Sequence, residues 1–370
     1  MLSVETVVPY LLERGLLDDR LVADTDLQVV DVSRRNHNFK LLCEAGPGYF
    51  LKQGRDTDTA GTVAHEARLY QWFAAHPDAT TLAELVPQCR LYDSAQRTLV
   101  MELIPKAESL FQHQWRTRRV AADIGTALGQ ALGTLHALTR SAASDGRDDD
   151  AAPGHAARFL LLHRPGIETL ATASSASLEL ISVVQQSHEL AAVLDRLDQE
   201  WRPECLIHGD LRWDNCQVVH RTAGGGPRVQ FVDWEMAGLG DPRWDVGTVF
   251  SDCLSAWLLS APVTANTAPA EFLSLARHPL RAMQPAMRAF WRAYVRRMEL
   301  DRATATDWLA RCVQYAGARL VQAAYEDMRG AARLAASVVY MLQLSANVVE
   351  RPLEAAGVLL GIAEPLPPSP

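Results

Sequence analysis

Two stretches carry oxygen-bearing side chains at spacings that could do chemistry. "CLIHGDLRWDN" places Asp210 directly after His208 and Gly209 and puts Asn215 five residues further on. "VQFVDWEMAGLGDPRWDVG" follows within twenty residues and sets Asp233 at the end of an apolar strand. Mg²⁺ takes hard oxygen ligands: carboxylates, amide carbonyls, phosphate oxygens and water. Asp233 and Asn215 are of that kind. A third acid beside an acceptor hydroxyl can orient it and take its proton, and Asp210 is spaced for that. The chemistry that needs all three is phosphoryl transfer, where the enzyme chiefly positions and neutralises a heavily charged group.

The elements around these residues divide into two kinds. "TVVPYLLERGLL" has helical spacing, and "LQVVDV", "NFKLLCEA" and "YFLKQG" alternate as strands. "TAGTVAHEARLYQWFAAH" repeats apolar residues every three or four positions, and "CRLYDSAQRTLVMELI" reads as two strands joined by a polar turn. From Val120 on, helical patterns dominate, beginning with "VAADIGTALGQALGTLHALT". The acidic run "SAASDGRDDDAAPGH" is expected to be a mobile loop, and the end "EPLPPSP" a Pro-rich tail. "CQVVH" and "VQFVDW" flank "RTAGGGPR", which reads as a hairpin turn rather than a phosphate cradle, because a strand follows and no Lys-Ser does.

Composition excludes several classes. The 370 residues are 48% apolar, enough for a large core in two lobes. A net charge of -8 without any basic run argues against nucleic acid as a partner. The N-terminus lacks the pattern of a signal peptide. "LAASVVYMLQLSANVV" is interrupted by Gln343, Ser345 and Asn347 and reads as a buried helix, not a membrane span. Six cysteines without C-x-x-C spacing fit reduced thiols, so a cytoplasmic protein is expected. Lysine occurs only at 40, 52 and 106, which makes each one worth weighing.

"HGDLRWDN" with "VDWEMAGLGDPRWDVG" resembles the aminoglycoside phosphotransferase and choline-kinase family of the protein-kinase-like fold. There His-Gly-Asp stands for the protein kinases' His-Arg-Asp, and Asp-Trp-Glu for Asp-Phe-Gly. The resemblance implies an α+β, bilobal fold with a small antiparallel-sheet N-lobe (1–104) and a larger helical C-lobe (105–370). The catalytic loop would span 205–216 and the metal-binding hairpin 216–245. It further implies ATP (or GTP) as co-substrate with Mg²⁺, Asp210 as catalytic base, and Asn215 and Asp233 as metal ligands. Asp245 would hold the catalytic loop through its backbone amides, and His208 would pack within it. Lys52 would meet the nucleotide phosphates and Glu66 would hold that lysine; Lys40 lies one strand too early. Backbone groups of Glu102, Leu103 and Ile104 would face the adenine.

Several positions depart from the family pattern. The turn "SRRNHNF" has no glycine; Arg34, Arg35 and Asn36 are candidates for phosphate contact, with a solvated turn as the plainer expectation. Arg212 and Asp214 replace the usual His and Gly, and a salt bridge between them is expected. Glu235 suits a second Mg²⁺ or a structural role. A dinuclear metallohydrolase would need more His and Asp at defined spacing. The rival that stays open is a catalytically silent kinase-like binding module.

For the acceptor, two classes remain: a small-molecule alcohol such as an antibiotic or amino alcohol, and a Ser or Thr of a ribosomally made peptide. The motif wording is similar to phosphotransferase-family enzymes that work with a separate lyase in lanthipeptide and thioamitide maturation, which would make a lyase a partner. From residue 250 on there are twelve arginines against ten acids. The segment "MRAFWRAYVRRMELDR" thus suits a neutral or acidic acceptor, a partner protein, or a solvated helix face.

Overall fold

The computed structural model describes residues 1–24, 26–44, 46–140, 161–220, 225–262 and 275–363. The chain opens with helices α1 (Val4–Glu13) and α2 (Asp19–Asp24). Strands β1 (Leu27–Asp31), β2 (His37–Cys43) and β3 (Tyr49–Gln53) follow. Helices α3 (Thr57–Ala75) and α4 (Ala79–Leu82) then lead to β4 (Cys89–Asp93) and β5 (Thr98–Glu102). The five strands form one antiparallel sheet in the order β1-β2-β3-β5-β4.

Period-two alternation decides what each face of this sheet does. Phe39, Leu41, Tyr49, Leu51 and Val100 point one way and close a core with Val7, Tyr10 and Leu11 of α1. Phe50 and Lys52 of β3 therefore point the other way, into the cleft below the sheet. Register places Lys52 between Asn38 of β2 and Leu99 of β5. A capping box at Asp56 and Thr59 starts α3. One face of that helix buries Val63, Glu66, Ala67, Tyr70 and Phe73, a single acid within an apolar stripe.

The rest is largely helical. It contains β6 (Ala107–Ser109), α5 (Leu110–Thr117), α6 (Ala122–Thr139), α7 (Ile167–Thr172), α8 (Ser175–Gln186) and α9 (His188–Gln199). Next come β7 (Cys205–Ile207), β8 (Cys216–Val219), β9 (Arg228–Phe231) and β10 (Gly238–Gly240). Helices α10 (Pro242–Leu258), α11 (Leu280–Arg297), α12 (Arg302–Asp327), α13 (Ala336–Glu350) and α14 (Pro352–Val358) complete it. Helices α6 and α11 approach closely because glycines of α6 face the α11 backbone. A Cβ at Gly125 or Gly129 would lie 2.1 Å from the Ala286 carbonyl oxygen or 2.2 Å from that of Phe290.

The expected hairpin is present as β8 and β9, antiparallel with Val219 opposite Arg228. Two further pairings have no counterpart in the sequence pattern: β6 adds to β8, and β7 pairs with β10. Strands of three residues carry too little alternation to be read. Residues 221–224 of the turn, the acidic run 141–155 and the tail from 364 lie outside the described residues. Among the described residues no helix is long and apolar enough to cross a membrane. The six cysteines form no disulfide among the described residues.

Candidate active site

Four side chains from three segments, β3, α3 and the turn after β9, meet between the sheet and the helical lobe. Lys52 ends β3 with its ammonium buried, 2.9 Å from Glu66 Oε2 and 2.9 Å from Glu235 Oε2, and in contact with Asp233 Oδ1. Glu66 is fully buried, and its second oxygen accepts the Trp234 backbone N–H at 3.1 Å. The α3 acid thus ties the lysine strand to the Asp-Trp-Glu turn. Burial pulls the Lys52 ammonium towards neutrality, but Glu66, Asp233 and Glu235 overcome it and hold it above the ordinary lysine range. Burial pushes Glu66 up, and Lys52 offsets that only in part. At Asp233 the same burial is outweighed by Lys52, and its carboxyl sits below the usual range.

Backbone geometry fixes both acid-bearing turns. Asp233 adopts φ +68, a left-handed conformation rare for a residue with a side chain, just where β9 breaks into a 3₁₀ turn. Gly209 has φ +80, and a Cβ there would lie 2.4 Å from the Met236 carbonyl oxygen. Only glycine lets the loop before Asp210 pass so close to the second turn. Asp245, buried in the first turn of α10, accepts the His208 N–H at 2.7 Å and the Gly209 N–H at 3.0 Å. It also meets His136 Nε2 at 3.2 Å, a contact no motif announced. His208 donates from Nε2 to the Val232 carbonyl at 2.9 Å and packs on Trp234, with ring centroids 4.7 Å apart.

Asn215 donates its amide N–H to the Asp210 carbonyl at 2.9 Å, which leaves the amide oxygen for another partner. Asn215 and Asp233 both line a slot of about 270 Å³ with Lys52 and Glu66 at its charged end. A carboxylate and an amide oxygen on one wall are a donor set that fits Mg²⁺. The slot's apolar walls are Phe50, Pro87, Met101, Leu103 and Val232. Lys40 also lines it, but Lys52 is the lysine paired with Glu66.

Two expectations need correction and two are narrowed. The Glu102 and Leu103 N–H groups already donate to the Gln88 and Gly48 carbonyls, both at 2.9 Å, so among the N–H groups of the expected adenine-facing stretch that of Ile104 is left, although all three residues line the slot. The Arg34–Asn36 turn is not simply solvated: Asn36 is buried, its amide 3.5 Å from Glu235, and Arg35 lies 3.6 Å from the same acid. Arg212 does not pair with Asp214. Its Nε lies 3.4 Å from Asp210 Oδ2, because the loop turns Asp214 outward. Finally, the Arg-rich segment 287–302 lines neither the slot nor the cavity beside it: its apolar residues pack on α6, and Arg292, Arg296 and Arg302 are exposed, which fits the solvated-face alternative.

That second cavity, about 1180 Å³, opens beyond Asp210. Asp210, Glu235 and Arg35 edge it on one side, and Gln322, Tyr325, Glu326 and Arg329 of α12 and its end on the other. A separate cluster, Glu108 with His113 and His220, stands apart from both cavities. Arg116 donates to the same Glu108 oxygen at 2.6 Å, so that carboxylate already has its counter-charge.

Comparison with known proteins bears on the fold and the family. The chain resembles in fold a choline kinase from Cryptosporidium parvum (9% identity, 97% of this chain and 99% of that one, TM-score 0.60). It also resembles a choline/ethanolamine kinase family protein from Mesorhizobium loti (16%, 90% and 93%, TM-score 0.53). A third is a putative fructosamine-3-kinase from Thermobifida fusca (17%, 94% and 100%, TM-score 0.51). No curated protein matches the sequence. The family model described as "Phosphotransferase enzyme family" matches residues 26–314, so the chain belongs to that family and is a bilobal, kinase-like phosphotransferase.

Proposed function

We propose that the protein transfers the γ-phosphoryl group of ATP to an acceptor hydroxyl, with Asp210 as base and Mg²⁺ held by Asn215 and Asp233. One observation carries this reading: the Lys52–Glu66 pair, Asp233 and Asn215 line one slot, and Asp210, whose carbonyl accepts the Asn215 amide, lines the larger cavity. The adenine would lie between Phe50, Met101, Leu103 and Val232, with the Ile104 amide at its edge. Lys52, kept charged by its three acids, would meet the phosphates as a fixed cation. The acceptor oxygen attacks the γ-phosphorus while the bond to the ADP oxygen breaks, and Asp210 orients the hydroxyl and takes its proton. When bound, Mg²⁺ supplies neutralising charge to the phosphate oxygens. The residues 1–104 then form the nucleotide lobe and 105–370 the acceptor lobe.

The acceptor is a hydroxyl-bearing small molecule in this reading, as the names of the choline and fructosamine kinases suggest for those proteins. A second reading, Ser or Thr of a ribosomally made peptide processed with a lyase, draws on cavity size. At about 1180 Å³ and open to solvent, the cavity exceeds the ~300–1000 Å³ usual for small-molecule sites. Against a silent binding module stands the retention of the lysine, the base and both metal-binding oxygens. The deciding experiment is Mg²⁺-dependent ATP turnover by wild type and Asp210→Asn, with mass spectrometry for phosphate on peptide and small-alcohol acceptors. Equal turnover by both proteins ends the enzymatic reading.

A further inference from the structure

Resting on that phosphotransferase reading, we propose that Arg319, carried by a helix far along the chain, is a positioning residue that clamps the Asp210 carboxylate for transfer. Arg319 lies midway along α12, and its side chain is only 3% exposed. One terminal nitrogen lies 3.4 Å from Asp210 Oδ1 and 3.4 Å from Glu326 Oε2. The other is buried without any hydrogen-bond partner among the described residues. On the opposite side, Arg212 Nε stands 3.4 Å from Asp210 Oδ2. Each oxygen of the base is therefore faced by a different guanidinium, one from its own loop and one from the acceptor wall.

The arrangement is costly unless it has a use. A buried guanidinium loses its hydration, and replacing such groups by apolar ones is often neutral or stabilising. Asp210 and Glu326 keep 27% and 31% of their side chains exposed, so neither needs Arg319 to stay hydrated. What Arg319 does supply is orientation. A carboxylate oxygen has two acceptor sites, so a guanidinium on each one leaves room for the acceptor hydroxyl while removing free rotation of the carboxylate. The Arg319 hydrogen bond to Asp210 is long at 3.4 Å, as catalytic hydrogen bonds often are before the substrate complex forms, and Arg212 Nε faces the other oxygen as an ion pair without a hydrogen bond. Asp252 completes the group: its carboxylate accepts the Trp213 N–H at 2.6 Å, bracing the same loop from α10.

The test uses the full chain and Mg²⁺·ATP, with water as the acceptor so that no substrate need be known. Arg319→Met should keep its melting temperature and its KM for ATP within about twofold while kcat falls about 30-fold, in line with the up to ~100-fold cost of a 1 Å misplacement. Arg319→Lys, which restores a cation without the planar fork, should recover part of kcat. The proposal is overturned if Arg319→Met keeps wild-type kcat. It is equally overturned if Arg319→Met loses folding and ATP affinity together and Arg319→Lys is no better. A wild type inert towards Mg²⁺·ATP removes the phosphotransferase reading itself and this one with it; an active wild type with an unaffected Arg319→Met removes this one alone.

Discussion

The slot lined by Lys52 and the larger cavity lined by Asp210 are built on different plans. The nucleotide slot takes its charged residues from short segments: Lys52 and Glu66 lie fourteen residues apart, and Asn215 and Asp233 eighteen. Strand alternation and one helix face bring these side chains together almost automatically. The larger cavity sets Asp210 and Glu235 of the two motif turns against Arg35 near one end of the chain and the Gln322–Gly330 stretch near the other, neither of which belongs to a motif. The residues of the slot are thus written locally, whereas the wall of the larger cavity, the acceptor side in the proposed reading, is written in tertiary packing.

The sharpest way to break this contrast is to remove one residue on the slot side. Lys52→Met should lower turnover with every acceptor, including water, by about 10³-fold, the size of loss seen when a fixed electrostatic donor is removed. Melting should stay cooperative, although Glu66 is then buried beside no ammonium. That loss should bring stability down at neutral pH, because burial already raises the Glu66 carboxyl. Steady-state kinetics with two unrelated hydroxyl compounds checks it. A variant that loses one acceptor and keeps the other would contradict a shared nucleotide function for the slot.

The same contrast explains what was legible in the sequence. Lys52 and Glu66 were legible only through the two downstream motifs, because by pattern alone a lysine on a strand and an acid on a helix look like ordinary solvated side chains. The order of sheet, helix and hairpin followed from periods of 2 and 3.6. Glu235 as a third carboxylate on Lys52 was not legible, since an acid after Trp234 carries no sign of which way it turns. Arg319 was hidden because an arginine inside the helical run "YAGARLVQ" looks like any helix-face cation. Arg212 was misassigned to Asp214 because neighbours in sequence are the natural guess, and only the loop's fold turns the guanidinium back to Asp210.

A second prediction concerns the floor under the base. Burial pushes the Asp252 carboxyl up to about 6, with the Trp213 N–H and the arginines 319 and 212 pulling the other way. A carboxyl raised in the folded state binds its proton first on folding. It costs nothing below about pH 4, costs progressively more as pH rises through 6, and carries its full cost above that. Asp252→Asn keeps an acceptor for Trp213 and removes the charge. It should gain up to about 3 kcal/mol at pH 8, at ~1.4 kcal/mol for each tenfold gain in proton affinity on folding, less for the part that water reaches. Chemical denaturation at pH 5 and pH 8 reads it directly: wild type should lose stability across this interval relative to the variant. Parallel curves would mean that Asp252 does not titrate there.

The smallest effect is also the one that best separates the two cavities. Arg35 belongs to the nucleotide-lobe turn between β1 and β2, yet it lines the acceptor cavity and not the slot. Its side chain is 58% exposed and lies 3.6 Å from Glu235, so the pair contributes under about 0.5 kcal/mol to stability. Arg35→Ala should leave thermal unfolding almost unchanged. If cavities rather than lobes divide the work, it should shift KM for the acceptor by about three- to tenfold, roughly 1 kcal/mol of a partly solvated charge contact, and leave KM for ATP alone. The opposite outcome, a raised KM for ATP with an unaltered acceptor KM, would place Arg35 on the phosphates. The turn without glycines would then be doing through a side chain what glycine-rich loops do through backbone N–H groups.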